Sequence, residues 1–174
     1  MESGMYSKDY LENRICVAMG GRLAEEIVNG KNKVTTGASN DFQQCTQTAK
    51  MMVEQMGMSD VIGPRNISGG QGGGMMMAPP GEGGSLKNRA DAEIDRILKE
   101  QYQRGMNILV DNRDVLDGVA KTLIEKEKID GIDLLKIIKD IKPELVSSKA
   151  MTEVYESMKP QLDARKLEDL KVKA

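Results

Sequence analysis

The sequence contains no histidine at all. Every mechanism that needs an imidazole from these residues is therefore excluded: a Ser-His-Asp triad, a Cys-His dyad, an H-E-x-x-H zinc site built from this chain alone. Tryptophan is also absent, phenylalanine occurs once and tyrosine four times. A core must then be aliphatic, with 13 methionines as adaptable filler. Base-stacking platforms for single-stranded nucleic acid are not available. The two cysteines, Cys16 and Cys45, have no C-x-x-C spacing, which excludes a zinc knuckle or a redox pair. They are expected to be small buried thiols in a reducing compartment.

No apolar run approaches the ~18–20 residues needed to span a bilayer, so direct membrane insertion by this chain is not expected. Met1-Glu2-Ser3-Gly4 has neither a basic region nor an apolar signal core, and nothing marks it for secretion. With 25 basic and 27 acidic residues the net charge is −2. That balance gives no electrostatic reason to expect nucleic acid as a partner. A length of 174 residues suffices for one domain with a real core.

What is present reads as helix. From Ser7, a good N-cap, to Val28, apolar residues recur at three- and four-residue intervals (Leu11, Ile15, Ala18, Ala24, Ile27), and Asn29-Gly30 closes the segment. Gly20-Gly21 interrupts this pattern, at roughly 1 kcal/mol each relative to Ala. The pair is expected where another helix backbone comes close. A second helix is expected from Ser39 to Met56, with Phe42, Cys45, Ala49, Met52, Val53 and Met56 on one stripe and Gly57 as its stop. Asp41 falls in its first turn, where a carboxylate meets the positive end of the helix dipole.

Residues 68–85 hold eight glycines, two prolines and three consecutive methionines, a composition expected to form a mobile loop. Its glycine cluster is not a phosphate cradle, because no Gly-Lys-Ser/Thr follows. A long helix is expected from Leu86 to Asn112. Another begins at an Asp114 cap, and a short one begins at an Asp130 cap and is ended by Pro143. The fold class is all-α, a bundle of about five to seven helices with a long Gly/Met-rich loop. The expected division is a helical domain over 1–141 and a charged, partly helical tail over 142–174. In that tail Pro160 breaks a weak amphipathic helix.

Carboxylates are the acid/base candidates. Glu25 and Glu26 are adjacent, so on a helix they point about 100° apart and do not share a proton. The pattern suggests one exposed carboxylate and one that is buried or capping. Thr35-Thr36-Gly37-Ala38-Ser39-Asn40-Asp41 clusters capping side chains around a turn, a stiff platform for presenting one side chain.

These residues bring a resemblance. Glu2-Ser3-Gly4-Met5-Tyr6-Ser7, Gly20-Gly21-Arg22-Leu23-Ala24-Glu25-Glu26-Ile27 and Val34-Thr35-Thr36-Gly37-Ala38-Ser39-Asn40-Asp41 are similar to the peptidase domain of the FtsH-type ATP-dependent zinc metalloproteases. Met56-Gly57-Met58-Ser59, Tyr102-Gln103-Arg104 and Leu123-Ile124-Glu125-Lys126-Glu127 continue the match, whose wording is nearest the cyanobacterial and chloroplast members.

The resemblance implies a membrane-anchored hexamer of thylakoid or bacterial inner membrane. In it an ATP- and Mg-dependent module feeds unfolded or damaged proteins to a ring of zinc peptidase domains. It also implies that zinc is held by the two histidines of H-E-x-x-H and by a later aspartate, whose position here is Asp41. The glutamate of that motif activates the zinc-bound water. Glu25 or Glu26 would orient ligands in the complete site. The H-E-x-x-H helix, the ATPase module and the membrane helix all precede the Glu2-Ser3-Gly4 motif in the family. By this reading the chain alone holds no catalytic residue, binds no zinc and cleaves nothing. The alternative is a non-catalytic helical interaction module, a truncated or inactive homologue that assembles with full-length subunits. Without the catalytic helix an apolar strip over residues 11–28 would be exposed and favour self-association.

Overall fold

The computed structural model describes residues 5–68, 82–146, 157 and 160. Among them are seven α-helices and one 3₁₀ turn, and no strand, so the all-α expectation holds. The chain divides into two compact units, residues 1–111 and 112–174.

In the first unit, Ser7 Oγ accepts from the Tyr10 amide at 3.2 Å and starts α1, Lys8–Ala18. The continuous helix expected to Val28 is instead two helices. Met19 ends α1 and precedes α2, Gly20–Asn29, while its own backbone stays in the right-handed region. The two glycines that follow have low helix propensity, and the break falls beside them. Gly30, at φ +84°, stops α2 in a conformation that favours glycine. A 3₁₀ turn over Lys31–Lys33 occupies part of the polar connection, and α3 runs Ser39–Glu54. Gly57 (φ +61°) turns the chain away from α3, and a Cβ there would lie 3.1 Å from Pro64 Cα. The long helix α4 spans Glu82–Asp111. It begins four residues before Leu86, inside the segment expected to be loop; residues 69–81 of that segment lie outside the described residues.

α1, α3 and α4 pack on one another around Leu11, Ile15, Leu23, Ala49, Met52, Val53, Ala90 and Ile97. The α3 stripe is as expected except at its ends: Phe42 is half-buried and Met56 is exposed. Both cysteines are free and buried. The expected apolar strip over 11–28 is mostly covered by the chain itself. Leu11, Ile15 and Leu23 are buried, and only Val17 and Val28 stand well out in solvent. Among the described residues the close helix contact is at Gly105 rather than at Gly20-Gly21. A Cβ at Gly20 or Gly21 meets no described residue within 4 Å, whereas one at Gly105 would lie 2.5 Å from Leu23 Cδ1 and 3.3 Å from Cys16 Sγ.

In the second unit, α5 is Arg113–Lys126, α6 is Gly131–Ile141 and α7 is Pro143–Val146. Asp130 caps α6 as expected, its carboxylate accepting from the amides of Ile132 (3.0 Å) and Asp133 (2.9 Å). Asp114 does not cap α5. Asn112 occupies that position, and Asp114 sits in the first turn, accepting from the Val115 amide at 3.0 Å and pairing with Lys142 Nζ at 3.4 Å. Pro143 does not simply end the helix; it opens α7. Pro160, expected as a breaker, is itself helical, which its fixed φ permits; most of the tail around it lies outside the described residues. Among the described residues no helix is long and apolar enough to cross a membrane.

Candidate functional site

The site sits where α2, the loop 30–38 and the start of α3 meet. Arg22 and Glu25 lie one turn apart on α2 and therefore share a face. Both reach the loop. Glu25 accepts from Thr35 twice, from its amide (3.1 Å, Oε2) and its hydroxyl (2.7 Å, Oε1), while Arg22 Nη1 donates to the Thr35 carbonyl at 3.1 Å. The Thr35 hydroxyl and amide, in that order, hold the Glu25 carboxyl below its ordinary pKa, with a further contribution from the Arg22 charge. Beyond Thr35 the loop closes on itself. The Gly37 amide donates to Thr35 Oγ1 at 3.3 Å, and Ser39 donates to the Thr36 carbonyl through its amide (3.1 Å) and its hydroxyl (2.5 Å). Asp41 follows in the first turn of α3, half-buried, where the helix dipole favours its charge.

Glu25 and Glu26 part company as their angular offset requires. Glu26 is buried and turned towards α4, where its Oε2 accepts from the Tyr102 hydroxyl. Its Oε1 pairs with Lys31 Nζ at 3.4 Å but has no hydrogen-bond partner among the described residues. A recess of about 340 Å³ lies against this pair, lined also by Gly30, Gln103 and Met106. Glu25 thus joins the loop that leads to Asp41, and Glu26 joins the interior of the first unit. The sequence alone does not single out Arg22 or Thr35 as a site residue. The available signal was the i,i+3 spacing of Arg22 and Glu25.

Zinc in proteins is held by about four donors, commonly nitrogen, sulfur and carboxylate oxygen. Asp41 supplies one oxygen donor of the right chemistry. Among the described residues no three His, Cys, Asp or Glu side chains come together to hold a metal. Cys45, one turn beyond Asp41, adds no ligand. Burial first, and then the nearby Asp41 charge, push its thiol pKa up, and its Sγ lies 3.6 Å from the Ile15 carbonyl. The described residues therefore assemble no such donor set around Asp41.

Comparison with known proteins identifies the family of the chain. The model of peptidase family M41 matches residues 1–137. The chain belongs to that family. It is 43% identical over 143 residues to the ATP-dependent zinc metalloprotease FtsH 3 of Synechocystis sp. (strain ATCC 27184 / PCC 6803 / Kazusa), covering 79% of this chain and 23% of that protein. It is 41% identical over 152 residues to the chloroplastic ATP-dependent zinc metalloprotease FTSH of Nicotiana tabacum, covering 85% and 21%. Against the chloroplastic FTSH 1 of Arabidopsis thaliana the figures are 39% over 152 residues, 85% and 21%. The chain spans little more than a fifth of the length of the curated relatives it matches.

Proposed function

We propose that this chain is the aspartate-bearing helical part of a zinc metalloprotease peptidase domain. It supplies Asp41 to a metal site whose imidazole ligands and general base are not among these 174 residues. The observation that carries the reading is the built junction at residues 35–41, which presents one carboxylate at a helix start while the described residues offer it no partner donor set. The relatives' names support zinc and ATP dependence for the complete protein. On the same reading the complete protein is a membrane-anchored hexamer that degrades unfolded or damaged proteins. No described residue lies within 4 Å of a Cβ placed at Gly20 or Gly21, which supports the docking of a helix from outside these residues.

The 174-residue chain alone binds no catalytic zinc and cleaves no protein; a zinc titration and a casein assay should both be blank. A hybrid in which this chain replaces the matched 143-residue segment of FtsH 3 from Synechocystis should cleave casein in a chelator-sensitive way and lose zinc on Asp41→Ala. Chelator-sensitive proteolysis by the isolated chain, or a hybrid indifferent to Asp41→Ala, refutes the proposal.

A second reading, a non-catalytic module that assembles with full-length subunits, has its own support. α5 has no buried residue, and Ile124 is 82% exposed beside an exposed Leu123. Light scattering tests it: a monomer at micromolar concentration argues against this reading.

A further inference from the structure

Thr35 is the point at which α2 grips the loop. Its amide, its hydroxyl and its carbonyl are all engaged by side chains of α2, the first two by Glu25 and the third by Arg22. Three polar atoms of one residue are thus held by two side chains one helical turn apart. The grip is passed on, because Thr35 Oγ1 also accepts from the Gly37 amide at 3.3 Å and the Ser39 amide and hydroxyl are bound to the Thr36 carbonyl. Arg22 has a second contact. Its guanidinium lies 6.0 Å from the centroid of the Phe42 ring, in cation–π range, and Phe42 is the residue after Asp41.

The start of α3 needs such support from outside. Helices usually begin at Ser, Thr, Asp or Asn, whose side chain accepts from a first-turn amide. Here the N-cap position is Ala38, which has no side chain for that role.

We propose that Arg22, Glu25 and Thr35 form a clamp that positions the first turn of α3, and with it Asp41, before any metal arrives. The inference rests on the reading of Asp41 as a ligand. Arg22, Glu25 and Thr35 are positioning residues, acting through the backbone of 35–38. The clamp also separates the two adjacent acids: Glu25 orders the ligand-bearing loop and Glu26 does not. A ligand held in place beforehand does not have to be ordered on binding, which is the advantage of such a clamp.

The test is amide hydrogen exchange and backbone relaxation, by NMR, on the metal-free 174-residue chain. The Thr35 and Gly37 amides should be protected. Glu25→Gln should speed their exchange by about tenfold or more and lower the order parameter of Asp41, while the core amides of Val53 and Ile97 stay unchanged. Arg22→Gln should loosen Thr35 likewise. Thr35→Val should release Gly37, and Thr35→Ser should restore its protection, because only the hydroxyl differs in function. Unprotected Thr35 and Gly37 in the wild-type chain, identical behaviour of the Val and Ser variants, or an Asp41 order parameter indifferent to Glu25→Gln each overturn the clamp. No metal is present in this measurement, so its failure is distinct from a failure of Asp41→Ala to matter in the hybrid.

Discussion

The phenolic hydroxyl of Tyr102 on α4 donates to Oε2 of Glu26 on α2, joining residues 76 positions apart. Together with the Lys31 ion pair it offsets the burial of this carboxylate, whose Oε1 accepts no hydrogen bond among the described residues. Tyr102→Phe should therefore destabilise the fold by about 1–3 kcal/mol, read as a lower urea midpoint. Adding Glu26→Leu should recover part of the loss, because neither polar group then remains in an apolar setting.

The same pair makes the fold sensitive to alkali. Burial, then the hydrogen bond to Glu26 and the charge of that carboxylate, push Tyr102 from 10.0 up to about 12. The folded value lies above the unfolded one, so the neutral phenol is favoured by folding. Its contribution is complete below pH 10.0 and is lost as the pH rises towards about 12. Urea midpoints measured across that window should fall more for the wild-type chain than for Tyr102→Phe.

Glu93, on α4, is buried and held by Arg96 at 2.8 Å (Nε to Oε2) and 2.9 Å (Nη2 to Oε1), with the Ser59 hydroxyl donating at 3.1 Å. Ser59 in turn accepts from the Ile62 amide at 3.2 Å, which fastens the loop after α3 to α4. Arg96→Met should cost about 2 kcal/mol, less than the ~3–5 of a fully buried pair because the Arg96 side chain is 43% exposed. The Arg96 and Ser59 hydrogen bonds hold the Glu93 carboxyl below its ordinary 4.5 against the opposing effect of burial. A depressed folded pKa gives stability that is present above pH 4.5 and fades as the pH falls through the folded value. Acid titration of wild-type and Glu93→Gln chains by circular dichroism should show that part of the loss only in the wild type.

Glycine substitutions should separate by position. Gly105→Ala forces a methyl against the fully buried Leu23 and should cost about 1–3 kcal/mol by overpacking. Gly21→Ala meets nothing within 4 Å and should be neutral, or stabilising by up to about 1 kcal/mol through helix propensity. Thermal midpoints of the two variants check this, and a destabilised Gly21→Ala chain would show a neighbour at that face.

In the second unit, Asp130→Ala removes the acceptor for two first-turn amides of α6 and should cost that helix about 1 kcal/mol. Faster hydrogen exchange at Ile132 and Asp133 is the expected signature.

The features legible in the sequence are those whose causes are local. Ser7 and Asp130 announce helix starts because a capping side chain and the amides it binds lie within three residues. Cys45, Ala49, Met52 and Val53 announce a buried face because helical period alone aligns them. The same locality put Asp41 in a helix first turn, and the wording of the motifs around it pointed to the family that the comparisons bear out.

Tertiary structure decided what depends on partners distant in sequence. Nothing near Glu26 in the chain names Tyr102, and nothing near Gly105 names Leu23; only the packing of α2 on α4 creates both relationships. The glycine pair at 20–21 is visible locally as low helix propensity, whereas what lies beside it is not, and among the described residues the close contact falls at Gly105. Asp114 had the right chemistry for a cap but lost the position to Asn112. Of the two adjacent acids, helical geometry required only that they diverge. The fold then set one against Thr35 and the other against Tyr102.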